Sequence, residues 1–143
     1  MTYKDLKKQA TDDLGNYYCL KASINSISYQ LRLLKKADLY HGVNLQQSVM
    51  SSHSADSAVI SHISQIEQLE SRLKHNRSKV RLIDKALNAL FEEERTLLLG
   101  FYIYNKPIED LSLNASVDRS WLYRKAERAL KKYILAYFGT IGE

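Results

Sequence analysis

Residues 107–130 have the sequence PIEDLSLNASVDRSWLYRKAERAL, and this stretch decides the fold of the C-terminal part of the chain. Pro107 suits the first turn of a helix, where its missing N–H loses no partner. Glu109 and Asp110 follow it and complement the positive end of the helix dipole. Asp118 is a candidate N-cap for a second helix. Apolar residues then recur at helical spacing at Leu122, Ala126, Ala129, Leu130 and Tyr133.

The opposite face of this second predicted helix is densely basic. Between residues 118 and 134, six Lys and Arg residues stand against Asp118 and Glu127, a local balance of +4. Two helices that meet at a tight turn, with the second one basic, are typical of helix-turn-helix proteins, and we therefore expect double-stranded DNA as a partner. The alternative is a solvated charged face on an ordinary helical protein. The residues predicted to contact DNA are Arg119, Ser120, Trp121, Tyr123, Arg124, Lys125, Arg128, Lys131 and Lys132.

Position along this helix predicts the role of each contact. The first turns of a recognition helix usually meet base edges, a role that falls to Arg119, Ser120, Trp121 and Arg124. Basic residues further along the helix favour phosphate contacts, which position the protein on DNA without reading the base sequence. These residues are Arg128, Lys131 and Lys132. Tyr123 either contacts phosphate or lies at the rim of the core. Trp121 either packs on a thymine methyl or a sugar, or marks a protein interface.

The composition of the whole chain favours a helical protein. At 143 residues, it has room for one domain, or for a small domain with an extended helical arm. A hydrophobic content of 45% excludes a wholly disordered chain, and one Pro and five Gly favour long helices. Because no segment has a strand-rich pattern, we predict an all-α fold.

Charge and cysteine content indicate where the protein acts. A net charge of +5 and an isoelectric point near 9.2 favour polyanionic partners. The single cysteine, Cys19, has no second thiol for an internal disulfide, which fits a reducing cytoplasm. The first residues, MTYKDLKKQATDDL, lack the apolar core of a signal peptide, and no run approaches the roughly 20 apolar residues of a membrane span. We therefore expect a cytoplasmic protein with no membrane partner.

Two apolar stripes with a seven-residue repeat lie ahead of this motif. The first runs from Tyr3 to Leu34 with one polar interruption at Asp13, and the second runs from Ile66 to Leu90. Each describes a long amphipathic helix of coiled-coil type, whose stripe must be buried against another helix. The first helix is a candidate for interruption near Gly15. The stripes supply the predicted oligomerisation residues Ile24, Ile27, Leu31, Leu34, Ile66, Leu69, Leu73 and Asn76.

The stripes allow two arrangements. The arm either folds back on itself as a hairpin within one chain, or pairs between chains and holds two recognition helices at half-sites roughly 34 Å apart. We favour self-association as a homodimer or higher homo-oligomer. Asn76 interrupts the second stripe, and it either fixes register and partner number or lies at a break between two helices.

The pattern divides the chain into overlapping segments. These are an N-terminal amphipathic helical arm at 1–40, a flexible polar linker at 41–58, a second long helix at 59–90 and a helix-turn-helix domain at 79–143. The last domain shares the helix 79–90 with the segment before it. Its four predicted helices are 79–90, 92–104, 108–114 and 118–137.

No sequence pattern indicates catalysis, a metal site or a cofactor. The run Glu92-Glu93-Glu94 resembles a catalytic cluster only in composition, because neighbouring residues on a helix point to different faces. A helix-start role is expected for it instead. The four histidines lie in different elements, without carboxylate or thiolate partners at ligand spacing. The sequence also lacks a Gly-rich phosphate loop and a nucleophile motif, so we expect a non-enzyme.

Residues 79–138 together show a wider pattern. A helix ending in aL..L..eer.ll...Y, a short turn, a helix-turn-helix and a basic yRk.erAL.k helix resemble region 4 of bacterial sigma factors. More closely, they resemble phage and prophage regulators of the ArpU and RinA type, which carry this module behind a helical arm and a variable linker. The residues that carry the resemblance are Leu90, Glu94, Arg95, Tyr102, Leu111, Val117, Leu122, Tyr123, Arg124, Ala129 and Leu130.

The resemblance implies a sequence-specific DNA-binding regulator that activates phage or prophage late genes in the cytoplasm of a bacterial host. RNA polymerase is then a second candidate partner. Ser112 and Ser116 stand where this family usually has Ala and Gly, and Trp121 stands where a small polar residue is common. Two other classes stay open: a small terminase-like DNA-packaging protein, and an interaction module that binds RNA polymerase or another regulator through its arm.

Overall fold

The computed structural model describes residues 1–47, 52–115 and 118–143. No strand occurs in these ranges, and the predicted all-α class is confirmed. A π-helical segment, Leu99–Ile103, follows the fourth α-helix directly. Ser116 and Val117 of the predicted turn, and the centre of the predicted linker, lie outside the described residues. The described helices are α1 (Tyr3–Gly15), α2 (Tyr17–Gln47), α3 (Ser52–Asn88), α4 (Glu92–Leu98), α5 (Ile108–Ala115) and α6 (Arg119–Phe138).

Contacts within the chain define two compact units. The first unit contains Met1–Leu20 and Lys79–Glu143, and the second contains Lys21–Ser78. The first residues of the predicted arm therefore belong to the same unit as the C-terminal helices. The predicted polar linker, residues 41–58, is helical at 41–47 and 52–58, because α2 and α3 continue into it. A helix can form without an apolar stripe, because Gln, Ser and Ala residues are compatible with helical backbone.

Helix α1 has well-defined signals at both ends. The Thr2 hydroxyl accepts a hydrogen bond from the Asp5 N–H at 3.3 Å, and the Asp5 carboxylate accepts one from the Thr2 N–H at 3.1 Å, which forms a capping box. The helix ends at Gly15, and Asn16 separates it from α2. The interruption expected near Gly15 is therefore present.

Asp13, the polar residue in the first stripe, is buried in the first unit. Its Oδ1 lies 3.0 Å from the Nζ of Lys79 on α3, so the carboxylate is paired inside the structure. The Tyr17 hydroxyl makes a second polar link by donating a hydrogen bond to Asp84. These two links attach the start of the chain to the C-terminal part of α3, which the heptad pattern alone does not indicate.

The segment that contains α4 places α5 against the core. Three glutamates begin α4, and the Phe91 N–H donates to the Glu94 carboxylate at 3.2 Å. The expected helix-start role of this acidic run is therefore confirmed. Gly100 in the π-helical segment allows a close approach, since a Cβ there would lie 2.9 Å from Leu111 Cδ2 of α5. A small apolar cluster forms at this point from Leu97, Leu111, Leu122, Phe101 and Ile108.

Helix α6 is the central element of the first unit. It packs against α1, α4 and α5. Gly139 ends it in the left-handed conformation, with φ of 77°, and the Gly139 N–H donates to the Leu135 carbonyl at 2.9 Å. The helix therefore ends one residue beyond the predicted range 118–137.

Candidate nucleic-acid interface

The packing of α6 separates a buried face from an exposed one. With about 100° of rotation per residue, the face opposite the core carries four exposed polar side chains, which are Ser120, Arg124, Arg128 and Lys131. We call these four residues the outer stripe. The buried face consists of Leu122, Ala126, Ala129, Leu130, Tyr133 and Ile134.

The first turn of α6 makes local polar contacts. Asp118 occupies the N-cap position with extended backbone, but its side chain makes no bond to the helix backbone. Its carboxylate instead accepts a hydrogen bond from the Ser120 hydroxyl at 2.9 Å. The Arg119 guanidinium lies 2.7 Å from the Glu109 carboxylate of α5. Two of the residues expected to contact bases are therefore partnered within the chain.

One side of α6 faces the acidic start of α4. Lys125 Nζ lies 2.6 Å from the Glu93 carboxylate and 4.5 Å from the centroid of the Trp121 ring. Lys132 Nζ lies 2.9 Å from the Glu94 carboxylate. Between the two helices is a cleft of about 560 Å³, into which Arg128 also projects. We call this space the α4–α6 cleft, and its lining residues are Phe91, Glu92, Glu93, Glu94, Trp121, Lys125, Arg128 and Lys132.

The other side of α6 contacts α1. The Glu127 carboxylate accepts a hydrogen bond from the Tyr3 hydroxyl at 2.5 Å and lies 3.0 Å from Lys7 Nζ. Lys131 Nζ lies 5.6 Å from the centroid of the Tyr3 ring. The single acidic residue within α6 is therefore neutralised by the N-terminal helix, which leaves the charge of the helix strongly positive.

Ionisation in this region follows from these contacts. Lys132 donates to Glu94 and holds the pKa of that carboxyl below its usual range, against the opposing effect of burial. Partial burial opposes ionisation of Glu127, but the Tyr3 hydroxyl and the Lys7 ammonium hold its pKa below the ordinary value. Burial and the bond to Glu127 raise the pKa of Tyr3 well above its ordinary value, so Tyr3 remains a donor.

Three cations of α6 differ from the rest. Among the described residues, no carboxylate forms an ion pair with Arg124, Arg128 or Lys131. The Arg124 Nε donates to the carbonyl of Ser120 at 3.3 Å, within the helix itself. All three side chains are exposed, so they provide positive charge that a polyanion can reach directly.

The two aromatic residues of the predicted set lie on different sides of the helix. Tyr123 is 55% exposed and its ring lies 5.8 Å from that of Phe101, which places it at the edge of the core. Trp121 is 37% exposed, and one face of its indole is covered by Lys125.

The predicted oligomerisation residues belong to the second unit, where α2 and α3 contact each other. Lys35 Nζ lies 3.3 Å from the Glu70 carboxylate, and the His62 imidazole is 3.0 Å from the Leu34 carbonyl oxygen. Ile27 and Leu31 are buried. The two helices therefore form a hairpin within the chain, while six residues of the predicted set are only half-buried: Ile24, Leu34, Ile66, Leu69, Leu73 and Asn76.

Asn76 lies within α3, which is continuous from Ser52 to Asn88. The interpretation that it marks a break between two helices is therefore wrong. Its side-chain amide donates to the Ser23 hydroxyl of α2 at 2.9 Å. A polar bond across an apolar seam fixes the register of the two helices, because any shift leaves the amide without its partner.

Sequence reasoning did not find the contribution of the N-terminal helix or of the glutamates to this surface. The motif at residues 107–130 gives the basic residues of α6, but Tyr3, Lys7, Glu93 and Glu94 are distant in sequence. Local spacing carries no signal for such pairs. The three consecutive glutamates at residues 92–94 are a local indication of these pairs, because carboxylates attract the cations of a basic helix that packs beside them.

Comparison with protein-family models, curated proteins and solved structures yields no match for this chain. Within the described ranges, no group of three His, Cys, Asp or Glu side chains is placed to hold a metal ion. None of the helices searched has the length and apolar content that a membrane crossing requires.

Proposed function

We propose that this chain is a sequence-specific regulator of transcription that binds double-stranded DNA through α6. The outer stripe is the observation that supports this function. Its three cations have no carboxylate partner among the described residues, whereas the neighbouring cations of α6 do. Uncompensated Lys and Arg on one exposed helix face are the electrostatic pattern that a phosphate-lined groove attracts.

In this proposal, α6 enters the major groove and its first turns meet the bases. Arg124 is the central contact, because an exposed guanidinium in this part of the helix can bond bidentately to guanine. Arg128 and Lys131 lie one and two turns further along and bind phosphates. Helices α4, α5 and α6 with the end of α3 then form a four-helix domain like region 4 of sigma factors, and the hairpin of the second unit forms the arm.

The arm supplies the second part of the mechanism. Half-buried apolar residues along the hairpin offer a surface for a second copy, which would bring two recognition helices to half-sites roughly 34 Å apart. Together with the resemblance of residues 79–138, this supports control of phage or prophage late genes as the biological role. Direct contact with RNA polymerase belongs to the same proposal.

Selection of duplexes from a random-sequence pool tests the proposal. We expect the full chain to enrich a defined sequence, with an affinity that falls steeply as salt rises because several phosphates release counterions. Arg124→Glu should remove specific binding, a loss of about 1–3 kcal/mol or more for a base-contacting bidentate group.

Arg81→Glu is the matched control, because Arg81 is an exposed arginine of α3 in the same unit. It carries the same charge change and should leave the selected sequence and its affinity nearly unchanged. Failure to enrich any sequence would reject the proposed function. Equal losses in the two variants would reject α6 as the recognition helix.

A further inference from the structure

The two ion pairs between α4 and α6 have the same composition but different surroundings. The Glu93 side chain is 78% exposed, whereas that of Glu94 is 10% exposed. Glu93 and Glu94 are consecutive residues of α4, and each binds a lysine of α6 that the sequence predicts to contact DNA. The exposure of the carboxylate partner therefore separates two lysines that sequence spacing treats alike.

The pair between Lys132 and Glu94 is part of the fold. Glu94 also accepts the Phe91 N–H at 3.2 Å, and the Phe91 ring lies 5.2 Å from Lys132 Nζ. Removing Lys132 from this site would leave a mostly buried carboxylate without its cation, which is costly. The Lys132 side chain is 53% exposed, but its ammonium is held on Glu94 by a bond that a passing anion does not easily replace.

The pair between Lys125 and Glu93 is exchangeable. An exposed ion pair contributes little free energy, because water and salt screen it and the glutamate loses rotamer freedom. A phosphodiester oxygen offers Lys125 the same kind of charge-assisted bond. Arg128 lines the same cleft and has no carboxylate partner among the described residues, so a second cation is already present for the incoming group.

We propose that the α4–α6 cleft is a phosphodiester-binding subsite in which the Glu93 carboxylate occupies the place of the phosphate until DNA binds. This inference rests on the proposed DNA binding and deepens it. DNA displaces Glu93 from Lys125 and adds Arg128 as the second phosphate contact. Lys132 stays bound to Glu94 and contacts no phosphate, which removes one residue from the set that the sequence predicts.

Trp121 reports this exchange directly. It is the only tryptophan of the chain, and Lys125 Nζ lies over its ring at 4.5 Å. When Lys125 turns to a phosphate, the cation leaves the indole face and the local field at the ring changes. Intrinsic fluorescence of the full-length protein therefore follows the subsite without a label.

The first experiment compares the two lysines. Binding of a short duplex DNA is measured across a salt series for the wild type, Lys125→Gln and Lys132→Gln. We expect Lys125→Gln to lower the slope of log affinity against log salt by about 0.9, the value for one phosphate contact. Lys132→Gln should keep the wild-type slope, with circular dichroism to verify that it is folded. Equal slope losses in both variants, or an unchanged slope in Lys125→Gln, would overturn the proposal.

The second experiment removes the competing carboxylate. Glu93→Gln should bind the same duplex about two- to five-fold more tightly, the range for loss of an exposed ion pair. Glu92→Gln removes the same charge one residue away, from a side chain with no partner among the described residues, and should change affinity less. An equal gain in both variants would show a general effect of charge and would overturn the proposal.

Fluorescence distinguishes DNA phosphate from free phosphate. It also distinguishes a failure of the subsite from a failure of the proposed DNA binding. We expect duplex DNA to shift Trp121 emission in the wild type, and to shift it less in Lys125→Gln, which has no ammonium over the indole. Inorganic phosphate that produces the same shift would extend the subsite to free anions. DNA binding with no emission change, or with the full change retained in Lys125→Gln, would reject the subsite and leave the proposed function standing. No DNA binding at all would reject both.

Discussion

The two units of the chain bury their side chains to very different degrees. The largest fully buried side chains all belong to the first unit: Leu14, Ile83, Leu98, Leu122, Leu130, Tyr133 and Ile134. In the second unit, the described side chains include only two buried apolar residues, Ile27 and Leu31. The first unit therefore has a core of its own, and the second depends on a narrow seam between two helices.

This difference matches what each unit is proposed to do. A recognition helix must keep its side chains in fixed positions, and a packed core on one face of α6 provides that rigidity. A two-helix hairpin with half-buried Leu69 and Leu73 still has apolar surface to bury against another helix. Changes in the first unit should therefore act on folding, and changes in the second should act on association.

Matched leucine truncations give the largest expected difference between the units. Leu130→Ala removes a fully buried side chain of α6 and should lower the free energy of unfolding by about 2–5 kcal/mol. Leu73→Ala removes a half-buried side chain of α3 and should cost about 1 kcal/mol. Urea denaturation followed by circular dichroism measures both, and similar losses would contradict the contrast between a core and a seam.

The sequence predicts the helices better than their partners. Helix ends depend on local residues, so the interruption expected near Gly15 lies where α1 ends, and the predicted end of the last helix at residue 137 lies one residue from the observed end at Phe138. The heptad stripe also gives the correct seam residues Ile27 and Leu31. These features depend on spacing along one helix, which a single sequence displays in full.

Partners across the fold are a different matter. The stripe from Tyr3 to Leu34 is continuous in sequence, yet its first residues belong to the C-terminal unit, because Asp13 finds Lys79 and Tyr3 finds Glu127. The predicted DNA-contacting set likewise could not show that Lys132 is paired with Glu94. Such pairs join residues distant in sequence, so composition and periodicity do not encode them.

The pair between Glu94 and Lys132 predicts a pH dependence of the first unit. Because the pKa of Glu94 is lower in the folded protein than in the unfolded chain, its ionisation stabilises the fold above the ordinary value of 4.5. This contribution should be lost as pH falls from there through the folded pKa. Glu94→Gln should lower the free energy of unfolding at pH 7 by about 1.5–3 kcal/mol, the range for a hydrogen bond to a charged group.

Thermal unfolding between neutral and acid pH measures this effect. Glu127 and Asp5 also have lowered pKa values, so their contributions to stability are lost in the same pH range. The stability of the wild type should therefore keep falling with pH beyond the contribution of Glu94. The difference between wild type and Glu94→Gln should narrow as pH falls, because protonation leaves the Glu94 carboxyl of the wild type uncharged, as the amide of the variant already is. A constant difference across the range would show that Glu94 acts by packing rather than by its charge. Glu92→Gln removes an exposed charge from the same helix start and should show a smaller difference than Glu94→Gln.

The smallest expected effect on stability is at Asn76, where the seam of the second unit carries its polar bond. Asn76→Leu makes the apolar stripe continuous and removes the amide that selects the Ser23 partner. Because a buried polar residue in such a seam limits register and partner number at some cost in stability, we expect the midpoint of urea denaturation to stay the same or rise slightly. Association should instead increase, which sedimentation velocity over a concentration series detects as larger species.

Asn76→Gln keeps an amide and is the matched control, and it should stay closer to the wild type. A Leu variant with unchanged sedimentation at every concentration would show that Asn76 does not limit association and that the buried residues Ile27 and Leu31 set the register of the hairpin.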